Sequence, residues 1–162
     1  MAEKLSKLFS HINKKNQPIM IDVSYKKTTQ RYARAQSVVS LPNAIWVKFN
    51  NGEIVSKKGP VIHTAIIAGT MAAKNTSNLI PFCHPLQIED CQIYAEFCAN
   101  RTLLLECELK VFSKTGVEME ALVGASIAAL TVYDMCKSIS QKIVIEKTYL
   151  LEKTGGKSDF TR

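Results

Sequence analysis

One stretch constrains the fold more than any other: Lys114-Thr-Gly-Val-Glu-Met-Glu-Ala-Leu-Val-Gly-Ala-Ser-Ile-Ala-Ala-Leu-Thr-Val-Tyr-Asp-Met-Cys-Lys137. Its middle is small and apolar, and its ionisable residues, Glu118, Glu120, Asp134 and Lys137, stand near the two ends. The pattern predicts a core helix, roughly Val117 to Ile139, that buries its centre and carries chemistry at its tips. Asp134 and Lys137 are three apart and share a face. Glu120 and Asp134 also share a face, but at 1.5 Å rise per residue they sit roughly 21 Å apart. They cannot serve one small-molecule site inside a single subunit. If both ends matter, either there are two sites or a neighbouring subunit completes one.

The 162 residues fit one domain with an ample core. Residues 1–19 read as a flexible extension and 20–162 as a single domain. Leu5, Leu8, Phe9 and Ile12 fall at helical spacing, so 3–14 could form a short amphipathic arm. The net charge of +7 suits an anionic ligand such as a nucleotide. It would equally suit RNA, or a basic surface with no partner. The five cysteines, Cys83, Cys91, Cys98, Cys107 and Cys136, are odd in number and lack CxxC spacing. That argues against a disulfide framework or structural zinc and for reduced thiols in a cytosol. No run of 18 apolar residues is free of charge, so no membrane span is expected. The N-terminus lacks the apolar core of a secretory signal.

The domain starts at Met20-Ile-Asp-Val. Arg34 to Leu41 reads as a strand stopped by Pro42. Ile45, Val47 and Phe49 alternate like a very short strand, and Asn50-Asn51-Gly52 is a turn. A helix runs from Pro60 to about Leu79, with Gly69, Ala72 and Ala73 leaving a flat face for close packing. Ile80-Pro-Phe-Cys-His-Pro-Leu86 is a stiff loop. Residues 87–98 and 102–112 are strands joined by a hairpin at Ala99-Asn100-Arg101. The core helix follows, then a strand from Lys142 to Leu151 and a polar tail. Strand, helix, strand, strand, helix, strand is the split βαβ order: an α+β, ferredoxin-like fold with helices on one face of an antiparallel sheet.

Lysines gather at loops and element ends: Lys57, Lys58, Lys74, Lys114, Lys137, Lys153 and Lys157. Ammonium groups suit phosphate oxygens, although any one of them also reads as solvated surface. Gly155-Gly156-Lys157-Ser158 imitates the end of a Walker A loop. The first glycine of that motif would fall on Leu151, and no helix has room to follow. What remains is a glycine-rich nest for an anion or a loose terminus. Asp134 keeps Lys137 protonated, as a general acid would need; a solvated helical pair reads the same way. A free lysine pKa near ~10.4 is too high for a good base unless burial or other cations lower it. Cys83 and His84 are adjacent in an extended loop and point apart, which disfavours a Cys–His nucleophile. His11 and His63 are too distant in sequence to support a metal site. His84 is then either set against a ligand or buried structurally. Glu118 and Glu120 suit a helix start. About 200° apart around the axis, they should not face one spot unless the first turn is irregular.

Ile80–Leu86, Lys114–Leu122, Ala128–Lys137, Gly155–Ser158 and Ile21-Asp-Val-Ser24, taken in order, resemble the signatures of the cyclic pyranopterin monophosphate synthase family of molybdenum-cofactor biosynthesis. The likeness covers about residues 20–160. It implies conversion of 3′,8-cyclo-7,8-dihydroguanosine triphosphate to cyclic pyranopterin monophosphate with release of diphosphate, a lyase reaction. It implies Lys58 and Lys137 as acid/base lysines with Asp134 as their partner. Cys83, His84, Glu118 and Glu120 would line the pocket, and Lys153 with Lys157 would hold the anionic substrate. It further implies a cytoplasmic hexamer, a trimer of dimers with sites at the dimer interface, needing neither metal nor redox cofactor. Pro60, Ile66 and Asn75 depart from the family, which usually has Asp at the first position and arginines at the other two. The family also suggests a short helix at 43–49. A rival reading is a basic ferredoxin-like RNA-binding module, but no RNP-type aromatic run occurs. A degenerate, non-catalytic homologue is the third.

Overall fold

The computed structural model describes residues 12–13, 15 and 17–162. The arm expected at 3–14 lies outside the described residues except for Ile12 and Asn13, and so does His11. Ile12 pairs with Pro18 in an isolated β-bridge.

Alternation builds the sheet, strictly along β6 (Thr102–Ser113) and with a fully buried run at 35–39 on β1 (Thr29–Ser40). On β1, Ala33, Ala35 and Val39 are buried; on β6, so are Leu103, Leu105, Cys107, Leu109 and Val111. The residues that alternate with these, such as Arg34 and Gln36, point to the opposite face. There Gln36 accepts from Tyr149 Oη at 2.5 Å and donates to Glu106, and Arg34 pairs with Glu106 at 3.6 Å. With β5 (Asp90–Cys98), β7 (Val144–Thr154) and β8 (Phe160–Thr161) the antiparallel order is β5-β6-β1-β7-β8. The two consecutive strands β5 and β6 thus lie to one side of β1 and the last long strand to the other. This is the ferredoxin-like α+β fold expected from the element order.

Two long helices, α2 (Val61–Lys74) and α4 (Glu118–Cys136), cover the apolar face. Their contact depends on the small residues noticed in the sequence. A Cβ on Gly69 would stand 2.7 Å from the Gly124 carbonyl oxygen and 2.5 Å from Ile93 Cδ1, and one on Gly124 would stand 2.6 Å from Cys107 Sγ. By length and composition α4 could cross a membrane. In this fold it is a core helix, with Ala121, Ala125, Ala128, Ala129 and Val132 fully buried.

Several boundaries differ from expectation. The alternation at 43–49 is a helical turn, α1 (Asn43–Trp46), followed by β2 (Phe49–Asn50). Ile45 enters the core while Phe49 stacks on both Trp46 and Phe97, so the apolar residues serve a satellite cluster rather than a strand face. β2, β3 (Glu53–Ser56) and β4 (Gly59–Pro60) form a small second sheet. Its first turn is the expected Asn50-Asn51-Gly52, with positive φ at Asn51 and Gly52. Asn75 breaks the first long helix, leaving α3 (Thr76–Leu79) as a separate turn. β1 begins five residues before the expected Arg34, through the polar run Thr29-Gln-Arg-Tyr-Ala.

Candidate active site

Two clusters of ionisable side chains flank α4. At its N-terminal end is a cavity of about 910 Å³. Its walls are the coil at 21–27, the start of β1, the loop at 82–86, the first turn of α4, and the end of β7 with the glycine loop after it. Cys83, His84, Glu118, Glu120, Lys153 and Lys157 all line it, so the six predicted pocket residues do converge.

Local geometry explains how. Pro81 and Pro85 stiffen the loop carrying Cys83 and His84. His84 Nε2 lies 2.9 Å from the Ile21 carbonyl oxygen. Glu118 and Glu120 share the cavity despite their angular separation because Glu118, at the first position of α4, folds back over Gly116. A Cβ at Gly116 would lie only 1.9 Å from Glu118 Oε2. Folded back, Glu118 Oε1 reaches Lys153 Nζ at 3.2 Å. Glu120 is 4% exposed. Burial, assisted by the negative charge of Glu118, raises its pKa to about 7. Burial and the nearby Glu120 raise the Cys83 thiol, which opposes a nucleophilic role.

The glycine loop is not an open nest at its first residue. The Gly155 N–H donates to Asp159 Oδ1 at 3.2 Å, and Thr29 Oγ1 donates to the Gly155 carbonyl at 2.9 Å. Gly155 has φ +78° and a Cβ there would strike the Gln30 carbonyl oxygen at 1.8 Å, so only glycine fits. The loop is pinned, and it holds Lys157 at the cavity wall.

Sequence reasoning missed three further cations on the same walls, Lys26, Lys27 and Arg31, and left Lys114 among the clustered lysines without assigning it to the pocket. Arg31 donates to the Ser113 and Lys114 carbonyls, both at 3.3 Å. A signal was present, since Arg31 shares the inward register of Ala33 and Ala35. A charge in that register belongs to the end of a core, where a cavity opens.

At the other end of α4, one carboxylate holds two amines. Lys58 Nζ lies 2.6 Å from Asp134 Oδ2 and donates to the Asp134 carbonyl at 3.1 Å; Lys137 Nζ lies 2.8 Å from Oδ1. Lys58 arrives from the β3–β4 hairpin, where Ser56 Oγ accepts its N–H at 3.1 Å and Gly59 takes φ +109°. Hydrogen bonds from Lys137 and then Lys58 hold the Asp134 pKa at about 2. The same contact raises Lys137 above its ordinary value. All three are about half exposed. This cluster is not in the large cavity: Glu120 and Asp134 are fourteen residues apart on one helix, roughly 21 Å. Among the described residues, no group of three His, Cys, Asp or Glu converges as metal ligands would.

Fold and site together define a ferredoxin-like α+β protein with a cation-walled cavity at one end of its central helix and a Lys–Asp–Lys cluster at the other. The chain belongs to the MoaC family, whose model matches residues 20–156. It is 46% identical over 158 residues to the "Cyclic pyranopterin monophosphate synthase" of Xanthomonas campestris pv. campestris, covering 98% of this chain and 96% of that protein. It is 47% identical over 158 residues to the protein of that name from Bacillus thuringiensis subsp. konkukian, covering 95% and 97%. The "Molybdenum cofactor biosynthesis bifunctional protein" of Synechocystis is 51% identical over 159 residues, 96% of this chain. The match spans about half the length of that protein, 46%.

Proposed function

We propose that the chain is a cyclic pyranopterin monophosphate synthase, a phosphorus–oxygen lyase that takes 3′,8-cyclo-7,8-dihydroguanosine 5′-triphosphate to cyclic pyranopterin monophosphate and diphosphate. Lys58 and Lys137 sharing the single carboxylate of Asp134 carry the reading. A lysine amine held this way is charged at neutral pH and is an acid waiting for a substrate atom that gains a proton. Rearranging a purine into a pterin needs several such transfers. Closing the cyclic phosphate forms a bond from a substrate hydroxyl to the α-phosphorus and breaks the bond from that phosphorus to the leaving diphosphate. The cations Arg31, Lys114, Lys153 and Lys157 suit that leaving group.

One triphosphate-bearing substrate cannot touch both ends of α4 in one subunit. A dimer whose two-fold axis sets the Lys58–Asp134–Lys137 cluster of one copy against the cavity of the other completes two equal sites. Three such dimers make the hexamer of the family reading. Exposed apolar side chains on the helix layer, Ile67, Met71 and Leu130, and on the open sheet face, Tyr94 and Phe112, leave surfaces for these contacts. Five free thiols suit a reducing, cytoplasmic setting.

Purified protein incubated with the cyclised dihydroguanosine triphosphate should release diphosphate and yield a pterin that fluoresces after oxidation. Lys137→Ala should abolish both without unfolding the protein. Retained turnover in that variant would remove the role assigned to Lys137.

A further inference from the structure

Residues 19–28 contain no helix or strand, yet Ile21, Val23, Tyr25, Lys26 and Lys27 form one wall of the large cavity. Side-chain hydrogen bonds from Lys114 and His84 tie this coil to the rest of the fold. Lys114 Nζ donates to the Ser24 carbonyl at 2.9 Å, and His84 Nε2 lies 2.9 Å from the Ile21 carbonyl. A carbonyl oxygen only accepts, so Nε2 must carry the proton. In the neutral ring Nδ1 is then the acceptor, and among the described residues it makes no hydrogen bond.

We propose that His84 divides two jobs between its ring nitrogens: Nε2 clasps the coil 21–27 as a strap across the cavity, and Nδ1 is the nitrogen left for substrate. The proposal deepens the synthase reading and, for its Nδ1 half, rests on it. The strap brings Lys26 and Lys27 to the cavity wall, so clasping it also sets the charge an anionic substrate meets. Inside the strap, Asp22 Oδ1 accepts from the Ser24 N–H at 2.8 Å and the Val23 carbonyl from the Lys26 N–H at 3.1 Å. These two amides report whether it is docked. Ile21 acts through His84, as a positioning residue: its carbonyl fixes which nitrogen can exchange a proton with substrate.

Glutamine and asparagine separate the two jobs, because the Gln side-chain amide falls near Nε2 and the Asn amide near Nδ1. Hydrogen exchange at Ser24 and Lys26 should stay at the wild-type rate in His84→Gln. It should quicken roughly tenfold in His84→Asn and His84→Ala, as expected for losing one anchoring hydrogen bond. Turnover in His84→Gln should fall by about a hundredfold or more, the loss of an acid–base group, although its strap remains docked. In 15N-histidine-labelled protein above the His titration, His84 should show one tautomer with a slowly exchanging Nε2–H. Equal exchange in all variants, an Nδ1–H tautomer, or wild-type turnover in His84→Gln would overturn the proposal. If wild-type protein fails to turn over the cyclised triphosphate, the synthase reading fails, while exchange and tautomer still decide the strap.

Discussion

Glu53 on β3 caps a helix it does not belong to: its Oε1 accepts the N–H of Ile62, the second residue of α2, at 2.7 Å. Oε2 accepts the N–H of His63 at 3.1 Å and meets His63 Nδ1 at 2.6 Å. The residue before the helix is Pro60, whose ring cannot accept a hydrogen bond, and it makes no side-chain cap. The departure from the family at position 60 therefore leaves the helix start satisfied from elsewhere. The same carboxylate ties β3 to α2, and so braces the hairpin that carries Lys58. Glu53→Ala should cost about 1–2 kcal/mol in denaturant unfolding, the scale of a lost cap. Its hydrogen bonds from Ile62, His63 and Ile54 outweigh burial and lower its pKa below the ordinary 4.5. That stabilisation is complete above pH 4.5 and is lost as pH falls through the folded value, so the wild-type advantage should shrink only in acid. An unchanged gap at low pH would contradict the cap.

Asp134→Asn tests the two-amine clamp. Asparagine keeps the shape and removes the charge that raises Lys137. The Lys137 pKa should fall toward 10.5, and any alkaline limb of the rate profile should move to lower pH. Turnover should drop by about 10²–10⁴, the usual contribution of a positioned acid–base group. Circular dichroism should not change, because the cluster is half exposed and outside the core. Loss of folded signal would make Asp134 structural instead.

The order of long elements was legible because alternation and small-residue faces follow directly from burial. Ala33, Ala35 and Val39, or Gly69 against Gly124, state in sequence what they touch in space. The short pieces were not legible. Ile45, Val47 and Phe49 fit a strand and a helical turn equally well, and Phe97, fifty residues away, decides between them. The pocket residues were found through motifs, but their convergence was hidden. Glu118 and Glu120 should diverge on an ideal helix, and only a side chain folding back over Gly116 joins them. Lys58 illustrates the limit best. A lysine carries no sign of its partner, and Asp134 lies 76 residues further on.

Glu120 gives the fold an unusual pH response. Its pKa is raised from 4.5 to about 7, first by burial and then by Glu118. A raised carboxyl contributes most stability below pH 4.5, and that contribution disappears as pH climbs through about 7. Glu120→Gln, which stays neutral, should match wild type near pH 5 and exceed it at pH 8 by on the order of 2–3 kcal/mol. Unfolding curves at the two pH values measure this directly. Equal stabilities at pH 8 would mean that the carboxylate finds a compensating cation in the assembled protein.

Gly69→Ala probes the helix contact. The added Cβ meets a backbone carbonyl at Gly124, which cannot swing away as a side chain could. The helices must separate by some tenths of an ångström, and overpacking of this kind costs about 1–3 kcal/mol. Since α4 carries ionisable groups at both ends, the shift should also lower turnover. A variant as stable as wild type would show that the two helices pack less closely than these distances state.

Mixing two dead variants separates a shared site from two independent ones. Lys58→Ala removes an amine from the Asp134 cluster, and Lys153→Ala removes a cation from the cavity about four helical turns away. If each site takes its Lys–Asp–Lys cluster from one copy and its cavity from the other, a mixed dimer has one doubly defective site and one intact site. Unfolding the two variants together and refolding them at equal amounts should restore about a quarter of wild-type sites, because half of the dimers are mixed and half of their sites are whole. If instead each copy works alone, every site carries one lesion and no activity returns. Recovery near a quarter, seen only after subunit exchange, would also show that both clusters act on one molecule of substrate.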